Sequence, residues 1–322
     1  MLTGPPTGGT VRATIGPLSW DGEMFRRKGF PVAISAMAAV VGLVVALAPN
    51  AIAAPVSYKF ATWNMQGATA SGASLWQVRV DQLGVADLAV TNDIVALQEA
   101  GATKVIDDRA GTSWGCVKQV KMLRLARVCE WTISKGGKNY KRVLYFVEAD
   151  DLATGTGPAA RKANLAFVIN PTKVEVRSWN YIPPVRSSTY HDGDRGLLQL
   201  VLNDGTVVYS GHADARPEGI NIATMLLKAR EATERLKNVN AWVLLADFNA
   251  TPNYLRPHLR EHERLAIPGN YTIRGTQRVV DYLVWWDEAH PNRFAATVVE
   301  VASPTPAQKY ASDHRPVRFV KV

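Results

Sequence analysis

The sequence predicts an α/β sandwich, two packed sheets with helices outside, and three observations carry that prediction. Ten short apolar runs rich in β-forming residues recur along the chain, most of them bounded by turn residues. Only two convincing amphipathic helices lie among them, Ser74–Ala89 and Glu218–Lys237. About 270 residues follow a removable leader, with no linker and no internal repeat to divide them, which is enough for a single large core. Many strands with few helices between them argues for layered sheets.

The first element, residues 1–53, reads as an export signal. Arg26-Arg27-Lys28 forms a basic start, the run from Pro31 to Pro49 is uncharged and mostly apolar, and Ala51-Ile52-Ala53 supplies a small-x-small cleavage pattern, which places the cut after Ala53. Met24 is a plausible true first residue, with 1–23 a leader ahead of it. The apolar run approaches the length of a short spanning helix, but the cleavage pattern favours removal over a retained anchor, so the mature chain is expected to be secreted without stable membrane insertion.

The strands expected next are Tyr58–Trp63 and Ile94–Gln98, with the helix Ser74–Ala89, N-capped by Ser74, between them. From Lys104 to Lys141 no period emerges. The basic residues there (Lys118, Lys121, Arg124, Arg127, Lys135, Lys138, Lys141), with Trp114 and Trp131, suit either a nucleic-acid-facing loop or a solvated face. Strands are then expected at Val143–Glu148, Leu165–Ile169, Lys173–Trp179, Leu197–Leu202 and Val207–Ser210. The second helix follows, then a strand at Trp242–Ala246, a weaker third helix at Tyr254–Glu263, and strands at Val279–Trp285 and Pro316–Val320.

The chain carries a formal net charge of +9. Residues 1–53 hold four basic and two acidic side chains, so the mature part keeps +7. That excess suits a polyanionic partner, nucleic acid or an anionic membrane surface, or a merely basic secreted protein. The two cysteines, Cys116 and Cys129, either form one disulfide or offer a thiol to a partner subunit, and spacing alone does not decide between them. Neither sits in a CxxC or Cys/His pattern, which argues against structural zinc.

Five polar islands follow apolar strands: Trp63-Asn64-Met65-Gln66-Gly67, Leu97-Gln98-Glu99-Ala100-Gly101, Gly211-His212, Ala246-Asp247-Phe248-Asn249 and Ser312-Asp313-His314-Arg315. Their side chains should emerge at sheet ends, where sites are commonly built. Cleaving a phosphodiester needs charge neutralisation on the phosphate, an activated water and help for the departing oxygen. Glu99 is a natural oxygen ligand for Mg²⁺, which takes one or two carboxylates and keeps several waters. Asn64 offers an amide to orient that carboxylate or to contact the metal. Asp247 and Asn249 straddle Phe248, so in an extended segment they share a face and can hold water and a phosphate oxygen, unless they merely make an Asx-turn. His212 and His314 are two of six histidines. Asp313 adjoins His314, so their side chains should diverge, and Asp281 within Val280-Asp281-Tyr282-Leu283-Val284 is the better partner for His314, because a carboxylate in an apolar strand demands one. Taken singly, Glu99 is also an ordinary surface glutamate and each histidine an ordinary structural one. The combination is what points to a metal-dependent phosphodiesterase.

These islands, in this order, resemble the endonuclease/exonuclease/phosphatase superfamily. Ala61-Thr62-Trp63-Asn64-Met65-Gln66-Gly67, Leu97-Gln98-Glu99-Ala100-Gly101 and Asn164-Leu165-Ala166 leading into Val168 resemble in particular its cytolethal distending toxin B branch, which is similar to pancreatic deoxyribonuclease. The resemblance spans Tyr58 to Val320. It implies a four-layer sandwich of two mostly antiparallel sheets forming a single domain over 54–322. It implies Mg²⁺, with Mn²⁺ or Ca²⁺ as alternatives, at Glu99, Asn64 and Asp313. His212 and His314 would act around the scissile phosphate, with Asp281 orienting His314 and Asp247 and Asn249 positioning water and phosphate. Arg195, Asn164 and Lys162 would contact substrate. Lys162-Ala163-Asn164 stands where the toxin branch tends to carry Arg-Val-Asn, and lysine lacks the bidentate fork of arginine. Ala246 stands where glycine is usual.

The function expected from this resemblance is a secreted, Mg²⁺-dependent endonuclease acting on DNA. It would be the active subunit of a genotoxin, working with delivery subunits and acting in the host nucleus. A phosphoinositide phosphatase on the same fold, a plain extracellular nuclease and a binding protein that has lost catalysis are the alternatives. No acidic partner for His212 is evident from the sequence.

Overall fold

Continuous apolar runs and alternating ones sort the chain into buried and half-buried strands. The computed structural model describes residues 57–66, 84–101, 114–121, 124–148, 164–184, 195–215, 221–287, 293–300 and 312–322. The leader, Lys162 and the Ser74 end of the first expected helix lie outside them. All described residues belong to one compact unit, Pro49–Val322.

Fourteen strands are described: β1 Phe60–Asn64, β2 Ile94–Gln98, β3 Trp114–Lys121, β4 Arg124–Lys135, β5 Lys138–Val147, β6 Leu165–Ile169, β7 Val176–Ile182, β8 Leu197–Leu202, β9 Thr206–His212, β10 Ala241–Asp247, β11 Glu263–Ala266, β12 Asp281–Asp287, β13 Phe294–Val298 and β14 Val317–Lys321. They make an eight-stranded sheet in the order β13-β14-β1-β2-β6-β5-β4-β3 and a six-stranded sheet in the order β11-β12-β10-β9-β8-β7. Among the described strands only β1–β2 and β9–β10 pair in parallel; the other pairs are antiparallel.

Strands β1, β2, β6, β8, β9 and β10 are buried at every position, because both of their faces are covered. One face of each points between the sheets, where Phe60, Ile94, Phe167, Leu198, Val243, Leu283 and Phe319 pack together. On the outer face of the larger sheet, Trp63, Val95 and Leu97 pack against Val85 and Leu88 of helix α1, Val85–Thr91. On the outer face of the smaller sheet, Leu197, Tyr209 and Leu244 pack against Ile222, Met225 and Leu226 of helix α2, Ile222–Glu234. The order helix, sheet, sheet, helix is the expected four-layer α/β sandwich. Gly211 allows this approach at β9, since a Cβ there would lie 2.6 Å from the Met225 sulfur.

Two expectations are corrected. The aperiodic stretch from Lys104 to Lys141 is no loop in its described part: β3, β4 and the start of β5 run through it as antiparallel hairpins. Gly136 and Gly137 sit at φ 57° and 72° between β4 and β5, the conformation that a two-residue primed turn requires. Cys116 and Cys129 stand directly opposite each other on β3 and β4 and form an intramolecular disulfide, so the partner-bridging alternative falls. The third helix is also shorter than its pattern suggests. Helix α3 covers only Pro252–Leu255, a single 3-10 turn follows at Arg256–His258, and Glu263 already belongs to β11. Pro257, which cannot donate a backbone hydrogen bond, lies inside the expected span. Among the described residues no helix is long and apolar enough to cross a membrane.

Candidate functional site

Strand pleating gives each sheet an inward face, and at one end of the sandwich those inward positions change from apolar to polar. In the six-stranded sheet, His212 pairs in register with Asp247 across β9–β10, and Asp247 pairs with Asp281 across β10–β12. Paired residues project to the same face, so one imidazole and two carboxylates form a row. Asn64 meets that row from the other sheet, its Nδ2 donating to Asp247 Oδ2 at 2.9 Å. His314 completes the group: Nδ1 lies 2.8 Å from Asp281 Oδ2, and Nε2 lies 3.7 Å from Asp247 Oδ2. All five side chains are buried.

The segment before β14 is pinned in place by the end of β1. Ser312 donates to the Asn64 carbonyl at 2.8 Å and accepts from His314 N–H at 3.0 Å. The Trp63 indole donates to the His314 carbonyl at 3.1 Å, and Asp313 N–H donates to the Gln66 side chain at 3.0 Å. Ile273 bridges to His314 on the other side. The Trp63 contact carries no sequence signal, whereas Ser312 is readable as a short hydroxyl two residues before a histidine.

Glu99 directly follows β2 and is buried, with φ 47°. Asn249 has φ 51° and Gln66 φ 49°. The left-handed conformation is costly for a glutamate and persists where the surroundings hold it, commonly at functional sites. Asn64 Nδ2 lies 3.5 Å from Glu99 Oε1, while its Oδ1 accepts from Gln66 N–H at 3.0 Å. The amide nitrogen of Asn64 therefore faces Glu99 and Asp247, which fits orienting the carboxylates. Asp313 is half exposed, and its Oδ1 comes to 3.7 Å from His314 Nε2. The two neighbours make no hydrogen bond, but their side chains do not fully diverge.

Asp247 and Asn249 converge by a different route from the extended one expected. The strand ends at Asp247, whose Oδ1 accepts from Asn249 N–H at 2.8 Å in an Asx-type turn. The positive φ of Asn249 then swings its amide to the Ala213 carbonyl, 2.8 Å away. Phe248 turns to the outer, helix-covered face of the sheet and stacks on Tyr282 with centroids 4.1 Å apart. Asn164 and Arg195 flank the row. Both are buried: Asn164 donates to the Gly101 carbonyl and supports the turn after Glu99, and Arg195 donates to the Ala213 carbonyl at 3.2 Å, next to His212. Among the described residues Asp247 is an acidic neighbour of His212 that the sequence does not disclose, its Oδ2 3.4 Å from Nε2. Strand register decides that pairing, and a single sequence does not reveal which strands adjoin.

Burial dominates the electrostatics. It pushes the Asp247 carboxyl up from 3.8 to about 7, with His314 opposing the shift and Asp281 adding to it. Burial also works against charge on His314, but Asp281 and Asp247 outweigh it and raise the imidazole from 6.5 to about 10. The imidazolium form of His314 is thus favoured, with Asp281 as its hydrogen-bonded partner and Asp247 close by. Asp247, Asp281 and His314 bring ligand atoms within 4.8 Å of one another, close enough for a divalent ion. Asp281 Oδ1 is buried and makes no hydrogen bond among the described residues. The imidazole Nδ1 of that trio is already engaged by Asp281, whereas Glu99 adds a further buried carboxylate nearby, so an ion held here would draw mainly on oxygen, as hard cations prefer.

The sequence profile of the Endonuclease/Exonuclease/phosphatase family matches residues 61–314, from β1 to His314. The chain belongs to the endonuclease/exonuclease/phosphatase family. Among its relatives in that family, the B component of the cytolethal distending toxin of Escherichia coli is 29% identical over 292 residues, covering 86% of this chain and 97% of that protein. The homolog of that B component in Salmonella typhi is 27% identical over 269 residues, covering 82% and 89%. In the crystal structure of the Haemophilus ducreyi cytolethal distending toxin, a chain 21% identical superposes with a TM-score of 0.62, over 82% of this chain and 98% of that one; this likeness bears on the fold. The activities in the family's name share hydrolysis of a phosphate ester, and the acid, imidazole and amide row suits that chemistry.

Proposed function

We propose that the chain is a secreted, Mg²⁺-dependent endonuclease that hydrolyses DNA phosphodiester bonds as the active subunit of a cytolethal-distending-type toxin. In this reading residues 1–53 are removed, 54–322 form the working domain, and separate delivery subunits bring it to DNA in a host nucleus. The observation that carries the hydrolytic part is the in-register row His212, Asp247, Asp281, closed by Asn64 from the opposite sheet and by His314. The likeness to the toxin's B component over nearly the whole of that protein supports the toxin part.

Glu99, oriented by Asn64, and Asp313 would hold the metal, with Mn²⁺ or Ca²⁺ as substitutes for Mg²⁺. The bound ion would neutralise phosphate charge and polarise water. Asp281 holds His314 as the imidazolium, which places positive charge beside the scissile phosphate. Asp247, fixed by Asn64 and by Asn249 N–H, is set to orient water and take its proton, the more readily because its raised pKa of about 7 makes the carboxylate a stronger base. His212, beside Asp247, completes the contacts to phosphate. Assaying the purified protein side by side on supercoiled DNA and on phosphatidylinositol phosphates tests the substrate: magnesium-dependent nicking is expected, and dephosphorylation of the lipid without nicking overturns the DNA reading.

A further inference from the structure

Directly beneath the site, three buried polar side chains interrupt the apolar packing between the sheets. Thr62, Gln98 and Ser210 are each completely buried. The Gln98 Nε2 donates to Ser210 Oγ at 3.2 Å and to Thr62 Oγ1 at 3.1 Å, and the Thr62 hydroxyl donates to Gln98 Oε1 at 3.2 Å. One amide therefore ties β2 to β1 within the larger sheet and to β9 across the gap. Each strand so joined delivers a site residue within two positions: β2 runs into Glu99, β1 ends in Asn64 and β9 ends in His212.

An apolar side chain of similar shape would fill this space, and exchanging a whole buried hydrogen-bonded set for apolar groups is close to neutral for stability. What the amide adds is direction, since a fully satisfied buried network specifies one arrangement of the elements it joins. Glu99 depends on that direction more than its neighbours do. With φ 47° it leaves the pleat of β2, so its carboxylate is placed by where Gln98 anchors the chain.

We propose that Gln98 is a positioning residue of the hydrolytic site, fixing where the Glu99 carboxylate on one sheet stands relative to the His212–Asp247 pair on the other, and through the placement of that carboxylate the affinity for a divalent cation. The inference rests on the reading of Glu99 as a metal carboxylate.

The test compares wild type with the triple variant Thr62→Val, Gln98→Met, Ser210→Ala, which removes every polar group of the set, and with Ser210→Ala alone, which removes only the contact across the sheets. Mn²⁺ binding is measured by electron paramagnetic resonance without substrate, beside melting temperature and the kcat and KM of oligonucleotide cleavage. The triple variant should melt close to wild type, bind Mn²⁺ about tenfold more weakly and lose kcat by a similar factor with little change in KM. Ser210→Ala should shift in the same direction by less, and it decides the matter if the triple variant does not fold. Wild-type Mn²⁺ affinity and kcat in these variants overturn the inference alone. A wild-type protein that binds no Mn²⁺ overturns the metal reading beneath it.

Discussion

At the scale of single residues, the proton on His314 is the property that its surroundings determine most strongly. Its folded pKa of about 10 lies above the usual 6.5 because Asp281 and Asp247 outweigh the cost of burial. The sign follows: the stabilisation tied to this proton is fully present below pH 6.5 and fades as pH rises toward 10. Asp281→Asn keeps the shape and removes the charge, so His314 should release its proton at distinctly lower pH in the metal-free variant, and the alkaline limb of the activity profile should move toward neutrality. NMR titration of the imidazole reads the first directly; an unchanged titration contradicts the assignment of Asp281. This pair was legible in the sequence, because an aspartate inside Val-Asp-Tyr-Leu-Val needs a partner. The pairing of His212 with Asp247 was not, since it follows from the parallel register of two strands separated by a helix.

At the scale of elements, local patterns identified β2, β6 and β8 to the residue, because those strands are continuously apolar. Strands β3 and β4 escaped because their basic and apolar residues mix without a period, and the informative signal was the Gly136-Gly137 turn that β4 and β5 share. Two predictions belong here. A Cβ at Gly196, immediately before β8, would lie 2.2–2.3 Å from the hydroxyl and ring of Tyr181. A buried aromatic ring cannot move aside cheaply, so Gly196→Ala should destabilise the fold by about 1–3 kcal/mol in denaturant unfolding, and wild-type stability would show that β7 and β8 pack more loosely. The Cys116–Cys129 disulfide clamps the far edge of the eight-stranded sheet, with β5 and β6 between it and β2. Closing a loop of 13 residues should contribute about 3 kcal/mol. Reduction should therefore lower the melting temperature while leaving the activity of folded molecules unchanged.

At the scale of the molecule, the site exists only because two sheets present their polar strand ends to one another. Asn64 and Glu99 belong to the larger sheet and its loop, and His212, Asp247 and Asp281 to the smaller one. His314 comes from the segment before β14, a strand of the larger sheet. Sequence order scatters these residues over 251 positions, from Asn64 to His314, which is why each motif is weak alone and the set is informative. The central claim is that this shared corner hydrolyses phosphodiesters with a metal. Nicking of supercoiled plasmid by wild type, Glu99→Ala and His212→Ala, each shown to be folded, with Mg²⁺ and with EDTA, tests it most directly. The account predicts nicking by wild type with Mg²⁺, none with EDTA, and a loss of at least about a hundredfold in either variant. Undiminished nicking by the folded variants, or nicking by wild type in EDTA, would contradict it.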